Sequence, residues 1–148
     1  MSAKNQRIAE LVAAGAEPGR DARYSGYFYC FNRGMFFEAH EVLESLWLVD
    51  RSCADGGFYK GLIQLAGAFV QIQKRRPGPA VALFGLARVN LSLYPARHQD
   101  LNLAHMLNLI DSWRASVLQG VDVAAARLVS EPPVLALAVL PAHASGGP

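Results

Sequence analysis

Residues 35–49 read MFFEAHEVLESLWLV, and their spacing decides the fold class. On a helical wheel at about 100° per residue, Met35, Phe36, Ala39, Val42, Leu43, Leu46 and Trp47 fall in one broad apolar arc. Glu38 and Ser45 occupy the opposite, polar strip. A half-buried strand would instead alternate with period two, and no segment of the chain does so over a strand's length. The stretch therefore predicts a helix, and no sheet is expected anywhere.

The flanking punctuation extends this pattern along the chain. Asn5 to Ala16 carries Ile8, Leu11 and Val12 at helical spacing and is stopped by Gly15 and Pro18-Gly19. Ala22 to Arg33 ends at Gly34, the residue best suited to a left-handed helix terminus. After a break at Ser52 to Gly57, Asp55 is placed to cap a fourth helix, Phe58 to Arg76, which is apolar on three sides. Lys74-Arg75-Arg76 and Pro77-Gly78-Pro79 end it. Pro79 suits the first turn of a fifth helix running to Leu93, and Asp100 is placed to cap a sixth from Leu101 to Leu118. The fold class is all-α, a single-domain bundle of five or six helices. Residues 1–21 form a short helix and linker, 22–120 the bundle and 121–148 a tail. Within that tail VLALAVLP, residues 134–141, is too apolar to sit in water. It is expected in a groove of the same molecule or of a partner subunit, with HASGGP after it mobile.

Composition bounds the function. The chain has 148 residues, 52% hydrophobic and 18% charged, against roughly 25% charged in an average domain. That suffices for one well-filled core and excludes disorder over most of the length. A net charge of +2 gives no case for nucleic acid, and Lys74-Arg75-Arg76 read first as complements of a helix dipole. No apolar run approaches the roughly 18 residues of a spanning helix, and the N-terminal stretch lacks the apolar core of a secretory signal. Cys30 and Cys53 follow no metal or redox spacing and read as buried, reduced thiols. A cytoplasmic protein without membrane or nucleic-acid partners is expected.

The third helix holds the one suspicious cluster. His40 lies at the edge of the apolar arc, and Glu44 is one turn further along the same face, flanked by Phe37 and Leu48. A carboxylate drawn into apolar surroundings must be paired, hydrogen-bonded or bound to a metal. Three readings stand. His40 and Glu44 fix packing through hydrogen bonds; or they ligate a divalent metal, with the spacing of a zinc helix but a glutamate for the second histidine; or Glu41 or Glu44 is a general base partnered by His40. Glu38 also sits where a capping-box glutamate reaches back to its helix start. On the fourth helix, Lys60, Gln64, Gly67 and Gln71 form a narrow stripe. It is either plain surface or the opposite wall of a polar pocket, with Gly61 and Gly67 letting the third and fourth helices approach.

FNRGMFFEAHEVLESLW, residues 31–47, followed by GLIQLAGAF, residues 61–69, resembles the family known as domain of unknown function 309. The resemblance spans roughly Phe28 to Pro95 and implies a small helical protein of no assigned activity. It also implies that Asn32, Gly34, Glu38, His40, Glu41, Glu44, Trp47 and Gln64 are this chain's copies of the family motif. Relatives often carry a histidine where this chain has Gln71, and a capping residue where it has Met35.

Two function classes follow. In one, Glu38, His40, Glu41, Glu44, Trp47, Gln64 and Gln71 surround a pocket for a small polar ligand or a divalent metal at His40 and Glu44. In the other, the cluster is structural and the protein self-associates as a homo-oligomer. Solvent access to His40 is the observation that separates them.

Overall fold

The computed structural model describes residues 2–140; the expectation for HASGGP lies outside them. Seven helices are present among the described residues: α1 Ala3–Gly15, α2 Ala22–Phe31, α3 Phe36–Trp47, α4 Gly56–Gln73, α5 Pro77–Leu91, α6 Leu103–Gln119 and α7 Val121–Ser130. The all-α reading holds, but the count exceeds five or six. The added helix is α7, which Gly120 turns away from α6 at φ +156°. Its alanines Ala124 and Ala125 are buried, and Arg127 lays its guanidinium 4.0 Å from the Trp113 ring centroid. Val121, Ala124, Ala125 and Leu128 stand at i, i+3, i+4 and i+7, so the helical period is present in the sequence of the expected tail. Ten residues make only a marginal helix alone, and packing on α6 completes it.

The helix that organises the bundle is α4. Phe58, Leu62, Leu65, Ala66, Phe69 and Ile72 are fully buried, with α3 on one side and α5 on the other. Next, α2 packs on α3, α1 covers α2 and α3, and α6 closes over α5 with α7 outside it. Phe69 sits at the centre, stacked on Phe36 at 5.0 Å and edge-on to Trp113 at 5.1 Å. The Tyr27 hydroxyl, fully buried, donates to the Leu62 carbonyl at 2.6 Å, so this polar atom on the inner face of α2 is satisfied. The aromatic run of α2 is therefore core: Tyr24, Tyr27, Phe28 and Phe31 are all buried.

Local signals hold at some termini and not at others. Gly34 adopts φ +74°, as a helix-terminating glycine should. Met35 precedes α3 without a side-chain capping bond. Asp55 precedes α4 but does not cap it, because its carboxylate is taken by His98 and Gln99. Asp100 does not cap α6 either; Asn102 does, accepting from the His105 amide at 3.0 Å. Asp100 instead sits in a turn that the sequence pattern does not show. Arg97–His98 and Leu101–Asn102 form a two-stranded antiparallel pair around Gln99 at φ +45° and Asp100 at φ +63°. Strands of two residues are too short to display period two, and Gln-Asp is not the Asn-Gly signature of such a turn.

Residues 133–138 lie against this hairpin in the same molecule. Pro133 and Leu135 are buried, Leu137 is partly buried, and Val134, Ala136 and Ala138 face outward. Leu137 bridges Leu101. The Asn32 side chain accepts from the Leu135 amide at 2.7 Å and donates to the Leu135 carbonyl at 2.9 Å, pairing with it as a strand would.

Candidate functional site

The polar side chains of α3 divide between two surroundings. Glu38 accepts from Arg7 of α1 at 3.2 Å instead of reaching back to its own helix start. Glu41, a candidate base at the expected pocket, is the most buried carboxylate of the helix, 11% exposed and 2.7 Å from Lys4 Nζ. The reason is tertiary: α1 lies over that face. The hydrogen bond to Glu41 and then the Coulomb attraction raise the Lys4 ammonium above its ordinary pKa. Glu44, at 35%, and His40, at 29%, remain open to solvent. Phe37 and Leu48, which flank Glu44, are themselves more than half exposed, so they do not seal it. Trp47 is partly buried, with the Arg51 guanidinium 5.5 Å from its ring centroid.

His40 is weakly held. Its Nε2 is 3.5 Å from Glu44 Oε2 and its Nδ1 is 3.4 Å from Glu41 Oε1, both well beyond the roughly 2.7–2.9 Å of a charge-assisted hydrogen bond. Nδ1 is buried and makes no hydrogen bond. Among the described residues no three His, Cys, Asp or Glu side chains gather closely enough to hold a metal ion. A cation at His40 and Glu44 would thus have two protein ligands, fewer than the three of an open catalytic zinc site.

Beside His40 lies a cavity of about 340 Å³ between α3, α4 and α5. Phe37 and His40 form the α3 wall and Leu83 the α5 wall. The α4 floor presents Ile63, Gln64, Gly67, Val70, Gln71 and Lys74. Gln64 Oε1 accepts from Asn90 Nδ2 at 2.7 Å, whereas Gln71 Oε1 is buried without a partner. Of the residues singled out in the sequence, the cavity brings together His40, Gln64 and Gln71; Glu38, Glu41, Glu44 and Trp47 do not line it. The small residues work differently from the expectation. A Cβ on Gly61 would meet Leu91 Cγ at 2.8 Å, and one on Gly67 would meet Leu83 Cδ1 at 3.4 Å. Both glycines therefore admit α5, not α3, and Gly67 leaves the floor of the cavity open.

Residues 24–83 match the family described as domain of unknown function (DUF309). Every residue that lines the cavity falls within the DUF309 match, as do Asn32 and all of α3 and α4. Searches of curated proteins and of solved structures found no match.

A second polar cluster, at the edge of the DUF309 segment, carries no signal in the sequence pattern. His98 Nε2 is 2.7 Å from Asp55 Oδ1, and the Gln99 amide donates to Asp55 Oδ2 and, at 2.9 Å, to the Tyr59 hydroxyl. The Tyr24 hydroxyl donates to the Gln99 carbonyl at 2.8 Å. The His98 ring lies edge-on to Phe58 at 4.9 Å. Burial holds the Tyr24 and Tyr59 phenols above their ordinary pKa. These contacts clamp the hairpin to the start of α4 and offset its two left-handed residues, a strain of roughly 1–3 kcal/mol each. Only the residue types of Asp55 and of His98-Gln99-Asp100 hint at it, and they lie far apart in the chain. His105, by contrast, is exposed on α6.

Proposed function

We propose that this protein binds a small ligand in the cavity between α3, α4 and α5, with His40 and Gln71 as the groups that orient it. One observation carries the reading: His40 Nδ1 and Gln71 Oε1 are buried without hydrogen-bond partners, and both residues line the same cavity. A buried polar atom left unpaired costs about 1–3 kcal/mol, which a packing network would not leave unrecovered twice in one place. Partial solvent access to His40 supports the same choice over a sealed structural cluster. Phe37, Ile63, Val70 and Leu83 make the rest of the wall apolar. The ligand class is therefore a small amphipathic molecule that donates a hydrogen bond to Gln71 and exchanges one with His40. The volume lies at the lower end of the roughly 300–1,000 Å³ of small-molecule sites.

The test is a ligand-observed NMR fragment screen on the wild type and on Gly67→Leu, which fills the cavity from its floor, and Gln71→Met. Hits that disappear in Gly67→Leu and weaken in Gln71→Met support the reading; hits that persist unchanged in both variants, or no hits, sink it. In denaturant melts Gln71→Met should leave stability unchanged or raise it by up to about 1 kcal/mol, because it removes an unpaired acceptor. A loss above about 1 kcal/mol would assign Gln71 to packing instead.

A second reading, self-association, is favoured by α5, where Leu86 and Val89 are 51% and 63% exposed, and by Leu93 just after it, at 75%. Sedimentation velocity across a concentration series tests it, a constant monomer value counting against it.

A further inference from the structure

A larger cavity, about 700 Å³, lies between the α1–α2 corner, α2 and residues 135–140. It shares no residue with the α3–α4–α5 cavity and stands outside the function proposed above. Its charged lining side chains are Glu17, Arg20 and Arg33, two cations and one anion.

Arg20 is the unusual member. Its side chain is only 7% exposed. Both terminal nitrogens of the guanidinium are engaged: Nη1 donates to Glu17, and Nη2 to the Ala138 carbonyl and, at 3.4 Å, to Asp100 Oδ2. Its Nε is buried and has no partner. Arg33 reaches the same cavity from the end of α2, with its guanidinium carbon 3.6 Å from the Tyr29 ring centroid and one nitrogen donating to the Tyr29 carbonyl at 2.9 Å. Stacking on an aromatic ring fixes the plane of a guanidinium and leaves its edge available to an acceptor. Two other polar side chains are committed elsewhere: both amide atoms of Asn32 to Leu135, and the Ser25 hydroxyl to the Ala22 carbonyl at 3.3 Å. The cavity thus offers two unused donors, the Arg20 Nε and the edge of the Arg33 guanidinium. Arg33 forms no ion pair among the described residues, whereas Arg20 is paired with Glu17 and Asp100. Phe28, Tyr29 and Leu135 supply apolar wall.

We propose that this cavity is a binding site for a small organic carboxylate, held by Arg20 and Arg33 and covered by residues 135–140. Guanidinium groups match a planar carboxylate, one oxygen of which would take the unsatisfied Nε of Arg20 and the other the free edge of Arg33. Glu17 beside Arg20 disfavours a more highly charged anion such as phosphate. The Arg20 bond to the Ala138 carbonyl couples the site to its cover, so binding also tightens the C-terminal segment.

The test uses the full chain with sodium benzoate and sodium hexanoate as probes, benzamide and hexanamide as uncharged counterparts, and inorganic phosphate as a competing anion. The expected result is a saturable rise in melting temperature with the acids at millimolar concentration, absent with the amides, together with slower amide exchange at residues 135–140. Arg33→Gln, an exposed substitution that leaves the fold intact, and Arg20→Lys should each weaken binding about tenfold or more. The proposal is overturned by no response to either acid, by an equal response to the amides, by tighter binding of phosphate than of the acids, or by acid binding unchanged in Arg33→Gln. If Arg20→Lys fails to fold, the Arg33→Gln comparison still decides.

Discussion

Asn32 does for the C-terminal segment what a neighbouring strand would do, offering one donor and one acceptor to the backbone of a single residue, Leu135. This gives a physical content to a motif residue that the sequence marks only by resemblance. Replacing it with alanine removes two hydrogen bonds and leaves the amide and carbonyl of Leu135 unpaired. At about 0.5–1.5 kcal/mol for each bond, Asn32→Ala should lose roughly 1–3 kcal/mol in urea denaturation. Exchange of the Leu135 amide should accelerate at the same time, while that of α4 should change only by the global loss. His40 shows the opposite case at this scale. The wheel places it at the edge of the core correctly, but cannot say whether its nitrogens are satisfied. That depends on where α1 and α4 put their own side chains.

At the scale of the element, α4 shows how far a single helix can be read and where reading stops. Its apolar circumference announces a central position, and its small residues announce a close approach. The wheel names α3 as the partner, whereas Gly61 faces Leu91 and Asn90 of α5. A methyl group there would lie 2.8 Å from Leu91 Cγ, a core atom with little room to move. Overpacking of this kind costs roughly 1–3 kcal/mol, against a helix-propensity gain of at most about 1 kcal/mol. Gly61→Ala should therefore be destabilising on balance. A methyl group on Gly85, in α5, would meet nothing within 4 Å, so Gly85→Ala should gain about 0.4–1 kcal/mol. Paired thermal melts of the two variants check both signs. A gain in both would mean that α5 can slide on α4.

For the whole molecule, burial sets the response to alkali. The Cys30 thiol is pushed up to about 11 by desolvation, from an ordinary value near 9. The Tyr24 and Tyr27 phenols are raised above their ordinary value near 10 for the same reason. In each case the unfolded chain ionises first. For Cys30 the stabilising effect of staying neutral in the folded state is complete below about pH 9 and is lost as the pH climbs through 9 to 11, and for the two tyrosines the loss begins near pH 10 and continues above it. Denaturant midpoints should be level from neutral pH to about pH 9 and then fall; a flat profile to pH 11 would contradict the burial of these groups. Thiol labelling near neutral pH gives a companion measurement. Cys53, which its apolar-rich neighbourhood in the sequence places inside, is exposed and should react, whereas Cys30 should react only on unfolding.

The sequence alone determined the helical class, most helix limits and the DUF309 resemblance, which the match over residues 24–83 bears out. These follow from local forces: the 3.6-residue period of apolar side chains, the stop at Gly34, and the prolines that open α5. It also singled out His40, Gln64 and Gln71, which line the cavity, together with Glu38, Glu41, Glu44 and Trp47, which do not, because a wheel shows polar residues next to an apolar face and not what they meet. Tertiary structure decided the rest. Which carboxylate of α3 is buried depended on α1, and which helix the glycines of α4 admit depended on α5. The Asp55–His98 pair depended on a hairpin held by contacts between distant parts of the chain. Helical periodicity reports which face of an element is turned inward. What that face meets is fixed only when the other elements pack against it, because the burial and hydrogen bonds that choose the arrangement belong to no single segment.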